Sequence, residues 1–232
     1  ISTQGLKPLE EQGVICMGLE QALTQHQEKV EPYLFRLWER EVDKLSALHQ
    51  ALWNNGLFLH VPKNCQVKLP VQALFFSSAS NSAFTPHVLI VAEENSSVTF
   101  VEHLLSPPSV SLTHLGGVEL FVGRGARVYY ASVRTFGGQA TDITYRRARV
   151  LRDGAVTWIL GEMNEANTLS ETQTYLEEPG ASADAKLIAI GSGQQQATYN
   201  IRMDHGAAHT ESRILSRAVI RQEAQVYLNG VT

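Results

Sequence analysis

Four kinds of pattern in this chain have residue types that could do chemistry. Residues 122–131 read VGRGARVYYA, with the Gly-x-Gly of a phosphate-holding loop. His205 and His209 have the four-residue spacing of a metal pair. Glu102–His103 joins an acid to a base, and Glu93–Glu94 and Glu177–Glu178 are paired carboxylates. Each needs a particular backbone to work. A dinucleotide loop requires a third glycine and a following helix; here Val128 takes that position and two tyrosines follow, which favours a strand. No Gly-Lys-Ser or Gly-Lys-Thr triplet occurs anywhere. Gly206 breaks any helix between the two histidines. In a strand their rings would stand about 13 Å apart, too far for one metal, so structural or solvent-facing histidines are expected. Adjacent strand residues face opposite ways, so Glu102 and His103 read as a polar strand end before the loop LLSPPS. Paired carboxylates can do acid–base work, but neighbours in a turn diverge into water. Cys16 and Cys65 lie in no Cys-x-x-Cys or other zinc spacing. The sequence therefore assigns no catalytic residue and no metal ligand.

The elements that hold these residues repeat. Gly-Ala stands at Gly125-Ala126, Gly154-Ala155, Gly180-Ala181 and Gly206-Ala207, and Asn95-Ser96 holds the same place about thirty residues before the first. Val-x-aromatic follows at Val98/Phe100, Val128/Tyr130 and Val156/Trp158, with Val226/Leu228 as a weaker copy. The unit reads as strand, tight apex, strand. Gly or Asn supplies the positive φ of a sharp turn, and a fixed period of this length means stacked units. All-strand repeats of roughly 26–30 residues predict a parallel β-helix; a propeller blade needs about 40–50.

The first ~55 residues differ, with apolar residues at helical spacing. Leu45, Leu48 and Leu52 predict one buried stripe with Trp53 beside it, Asp43 a cap, and Asn54-Asn55-Gly56 a stop. The expected organisation is a helical segment over 1–56 capping a β-helix core over 57–232, with no linker between them.

The chain has 232 residues, 44% of them hydrophobic, a core large enough to need no staples. A net charge of −4 gives no general field for nucleic acid. Arg146, Arg147, Arg149 and Arg152 are locally basic and are read as a solvated strand face. Two cysteines suit a reducing compartment. No run of eighteen apolar residues offers a membrane span, and no signal peptide is visible. The start at Ile1 suggests that an upstream segment has been removed.

The stretch LSALHQALWNNGLFLHVPKNCQVKLPVQALFF resembles the SufB/SufD family of iron–sulfur cluster assembly proteins. The likeness continues through GVICMGLEQALTQH upstream, HVLIVAEENSSVTFVEH, and RAVIRQEAQVYLNGV near the end. The resemblance implies a right-handed parallel β-helix and a non-catalytic scaffold subunit. It implies a SufB-like sister subunit and the SufC ABC-type ATPase as partners, in the cytoplasm or, in a photosynthetic eukaryote, the plastid stroma. A cluster would be carried transiently by the complex, and no cofactor is assigned to this chain. SufB carries Glu-Gly-Cys where this chain keeps Glu102 but has His103 and Leu104; with YLNG near the end, this favours a SufD-like member. By the same resemblance Glu102–His103 would lie near an iron or sulfide path. The family's cluster-linked histidine and cysteine, and its ATPase-docking helices, would fall beyond Thr232, so the chain reads as a core fragment. Open end rungs suggest a homodimer by edge pairing. Taken from the repeats alone, a β-helix carbohydrate-active enzyme or polysaccharide-binding solenoid is the alternative, but five scattered Asp residues make no acidic ladder.

Overall fold

Apolar and polar residues alternate through nearly every segment after residue 56, and each alternating run forms a strand. The computed structural model describes Gly5 and residues 7–38 and 43–232. Helices α1 (Lys7–Glu10), α2 (Leu19–Gln25), α3 (Gln27–Val30) and α4 (Lys44–Leu52) precede the repeats, with strand β1 (Ile15–Gly18) among them. One sheet then takes β2 (Gly56–Val61), β5 (His87–Ala92), β7 (Leu112–Val122), β9 (Ala140–Val150), β11 (Asn167–Leu176), β13 (Gln196–His205) and β15 (Gln225–Val231) in that order. Its β2 end is extended by β1, which pairs antiparallel, and β4 (Ser82–Phe84) pairs with β7. The second sheet stacks β3 (Val71–Phe76), β6 (Ser97–Leu105), β8 (Arg127–Thr135), β10 (Ala155–Glu162), β12 (Ser182–Gly191) and β14 (Glu211–Ile220). The chain passes from one sheet to the other and back, forming a parallel β-solenoid of about six turns. That is the β-helix expected from the period.

The repeat itself needs correcting. The apices leading from the first sheet to the second stack Asn64, Asn95, Gly125, Asp153, Gly180 and His209, all at positive φ. Amide-to-carbonyl bonds join neighbours, as from Gly125 N to Arg152 O at 2.8 Å. Gly125 needs glycine doubly, because a Cβ there would lie 2.3 Å from the Asn95 side-chain oxygen. Gly154 and Gly206 miss the apex by one and three residues. The Val226/Leu228 copy lies in β15, on the first sheet, whereas the Val-x-aromatic strands β6, β8 and β10 belong to the second. Its apex, Gln222, stacks on Gly193 in the opposite column of turns. In the last two coils the return turns also place a residue at positive φ, Gly193 and Gln222, so a linear reading merges two columns into one.

The lumen between the sheets is divided lengthwise. Next to the Asn95–Gly125–Asp153 turns it is apolar: Val98, Val128 and Val156 pack beside Phe100, Tyr130 and Trp158. Tyr130 contacts both aromatic neighbours, with ring centroids 5.8 and 5.2 Å away. The other half is polar and forms the candidate site.

The N-terminal helices cover the outer side of the first sheet. Asp43 caps α4 as expected, accepting from Leu45 N at 2.8 Å and Ser46 N at 2.7 Å. The run EVDKLSALHQALW has helical spacing, and its first two residues, 41–42, lie outside the described residues. The leucine stripe does not hold: Leu48 and Leu52 are exposed, and α4 buries Ser46 and His49 instead. Leu45 and Trp53 pack only at the margin of the cluster beneath it. The reason is polar. The His49 Nδ1–H donates to the Leu115 carbonyl at 2.8 Å, and His49 Nε2 lies 3.0 Å from His87 Nδ1. Glu119, on the same sheet face, accepts from Phe35 N at 2.6 Å and Leu37 N at 2.8 Å and lies 3.1 Å from His87 Nε2. One buried carboxylate thus ties the N-terminal segment to the solenoid.

Candidate functional site

Every coil returns to the first sheet on the same side, so two sets of inward side chains converge there. The ends of β6, β8 and β10 bring Glu102, Arg134 and Glu162 inward. The starts of β7, β9 and β11 bring His114, then Asp142 and Arg146, then Ser170 and Thr172. All are buried. Arg134 Nη1 donates to both Asp142 oxygens, at 2.8 and 3.0 Å, and to Thr144 Oγ1. His114 Nδ1 donates to Asp142 at 2.7 Å. Arg146 reaches Glu162 at 3.0 Å and Ser170 at 2.8 Å. The Tyr130 hydroxyl donates to the Glu102 carboxylate.

These contacts set the protonation states. Burial pushes the Asp142 carboxyl up, but the Arg134 charge and the bonds from His114 and Arg134 outweigh it and hold it well below the carboxylate range. Burial lowers His114 against the pull of Asp142, which keeps its ring neutral. Burial, then the Glu102 charge, pushes the Tyr130 phenol far up, so it remains a donor. Two guanidinium groups therefore face Asp142, Glu162 and Glu102 in a closed, largely self-neutralised network. Such a set positions and stiffens strands. Removing one member would strand its partner's charge in the interior.

The residues singled out in the sequence do not gather here, except two. Glu102 enters the lumen, while His103 faces outward and lies 3.3 Å from Thr135 Oγ1, so strand geometry separates the pair. Arg146 is the second, and the solvated-face reading fails for it and for Arg147. Both are buried, Arg146 in the lumen and Arg147 over the Tyr145 ring, while Arg149 is half-buried and Arg152 exposed. The partner that permits this, Glu162, lies on another strand, out of reach of a local pattern. His205 bonds Thr210 and Ser212, at 2.7 and 2.9 Å, whereas His209 forms an exposed apex.

The glutamate pairs diverge as expected, but into bonds with the neighbouring coils. Glu93 accepts from His60 Nε2 at 2.8 Å and from the Lys63 amide at 2.9 Å, and Glu94 pairs with the Lys63 ammonium at 2.9 Å. Glu178 receives both nitrogens of an Arg124 fork at 2.9 Å, and these bonds hold its carboxyl down to about 2. Cys16 and Cys65 are free, and burial pushes the Cys16 thiol up to about 11, so it is not a ready thiolate. His114, Arg134, Asp142 and Glu162 escaped sequence reading. Their signal was present: Asp142, Thr144 and Arg146 put polar residues at three successive inward positions of β9, where a plain solenoid core would be apolar.

Comparison with known proteins matches two family models in succession. Residues 2–73 match the SufBD protein N-terminal region, and residues 75–232 match the SufBD core domain of the SUF system for FeS cluster assembly. The iron–sulfur cluster assembly protein SufD of Bacillus subtilis is 36% identical over 227 residues, covering 96% of this chain and 52% of that protein. An iron–sulfur cluster assembly SufBD family protein of Staphylococcus saprophyticus is 29% identical over 226 residues, covering 97% and 49%. The chain spans about half the length of the curated relatives it matches.

Proposed function

Starting from a chain that belongs to the SufBD family of iron–sulfur cluster assembly proteins, we propose that it is the solenoid of a SufD-type, non-catalytic scaffold subunit. It works with a SufB-like sister subunit and the SufC ABC-type ATPase, and the cluster is cargo of the complex. The observation that carries this reading is the unbroken match of both SufBD regions across helices and solenoid. The internal geometry agrees with a framework: the lumen carboxylates are enclosed and bonded, and the paired glutamates of the turns are held by hydrogen bonds and ion pairs. A sugar-cleaving solenoid would present acid–base groups on an open face. Among the described residues no helix is long and apolar enough to cross a membrane, and we place the subunit in the cytoplasm.

The test is anaerobic co-expression of the whole gene product with SufB-like and SufC-like subunits, followed by sizing with light scattering. A stoichiometric complex is expected. A protein that elutes alone in the presence of both would overturn the reading.

A further inference from the structure

The turns that lead from the first sheet to the second repeat one contact and then interrupt it. The residue before the positive-φ apex is Lys63, Glu94, Arg124 and Arg152 in successive coils. At both ends of this series a carboxylate from the following coil accepts the backbone amide. Glu93 takes the Lys63 amide at 2.9 Å, and Glu178 takes the Arg152 amide at 3.0 Å. Both glutamates stand two residues before their own apex, where the coils between them carry Gly123 and Leu151. Neither of these side chains can accept. Among the described residues no acceptor takes the Glu94 or the Arg124 amide. Gly123 keeps its place open for a steric reason, because a Cβ there would lie 2.9 Å from both the Ala92 carbonyl oxygen and the Glu94 nitrogen.

A cleft of about 380 Å³ lies against these two bare turns. Its apolar wall includes Tyr33, Phe121 and Leu151, and Tyr33 meets Phe121 edge to face at 4.8 Å. Arg149 also lines the cleft, with its guanidinium 5.2 Å from the centre of the Phe121 ring. Its Nε is buried and bonds no acceptor, and Glu177, 3.9 Å away, is beyond hydrogen-bond reach. A buried donor left in this way calls for an acceptor that the described residues do not supply.

The unmet groups are all donors, so the fitting ligand group is an acceptor. The coils on either side show which kind: at the same position in each, a carboxylate does the work. Neighbouring coils stand ~4.8 Å apart, near enough for one carboxylate to accept from both amides. Charge narrows the class further. Around the cleft Lys63, Arg124, Arg149 and Arg152 are balanced by Glu93, Glu94, Glu177 and Glu178. A neutral rim suits a singly charged group held by directed bonds and disfavours a phosphate dianion.

We propose that this cleft binds a small organic monocarboxylate with an apolar body. The carboxylate accepts from the Glu94 and Arg124 amides with Arg149 beside it, and the body lies against Tyr33 and Phe121. This does not depend on the SUF assignment. Phenylacetate is the probe, titrated into the whole gene product and followed by the amide resonances of Glu94 and Arg124. Saturable binding in the millimolar range is expected, as about ten heavy atoms allow. Phenylacetamide, the neutral analogue, should not bind. Arg149→Gln should weaken binding at least tenfold, the worth of one charge-assisted hydrogen bond, at an unchanged melting temperature. Leu151→Glu should do so by another route. It puts the chain's own carboxylate where Glu93 and Glu178 stand, so the Arg124 amide of the free variant should already resonate near its phenylacetate-bound position. Equal binding of phenylacetamide or of inorganic phosphate would overturn the proposal, as would binding indifferent to both variants. So would the absence of saturable binding, which is also the result if another part of the gene product fills the cleft.

Discussion

Replacing Arg146 with methionine is expected to destabilise the solenoid by about 3–5 kcal/mol, the usual cost of leaving one partner of a buried ion pair alone. Its guanidinium bonds Glu162 and Ser170 from two other strands with no exposure to water. For a domain of this size that loss lowers the melting temperature by roughly 6–20 °C. The charge, more than the packing, sets the effect, because methionine keeps most of the apolar stem. Arg146→Met combined with Glu162→Leu is therefore expected to regain most of the loss, since Arg134 retains Asp142. Thermal unfolding of both variants checks this. A single variant as stable as the parent would show that the lumen network carries no such charge.

Glu119→Ala is expected to release the N-terminal segment while the coils stay folded. The Phe35 and Leu37 amides lose their acceptor, and bonds to a charged group contribute about 1.5–3 kcal/mol each. A local loss of about 3 kcal/mol raises the opened population roughly a hundredfold. Limited proteolysis should then cut within residues 7–53 about that much faster, with the β-core fragment surviving. Acid should loosen the same joint. Burial holds His49 and His87 down to about 3, against ~6.5 in an unfolded chain. Their contribution to stability is complete above pH ~6.5 and is lost as pH falls toward 3, because the released state binds the protons first. Cleavage that does not accelerate between pH 7 and 5 would contradict this.

The fold was legible in the sequence because its signals are local. Positive-φ residues at turns and two-residue alternation need no distant partner, and Asp43 announces a helix start within three residues. Two features were not local. The last return turns also hold a positive-φ residue before a strand, so the turns at Gln222 and Gly125 read as one series although they lie on opposite sides. Arg146 reads as a surface residue and Asp142 passes unnoticed, because Glu162 and Arg134, which allow their burial, lie on other strands. The same rule misled the reading of α4. Its leucines made a stripe, but His49 had a carbonyl and a second histidine to meet across the sheet, and that polar joint turned the helix. The family likeness rested on blocks such as WNNGLFLHVPK, where a turn and a strand start are fixed together.

The central claim is that this chain serves iron–sulfur cluster assembly as a scaffold. It is tested most directly by measuring iron and acid-labile sulfide on the SufB-like subunit, purified anaerobically from cells with and without the gene product that carries this chain. A several-fold fall in both, per subunit, is the expected result when the gene product is missing. Equal iron and sulfide in the two preparations would contradict the account.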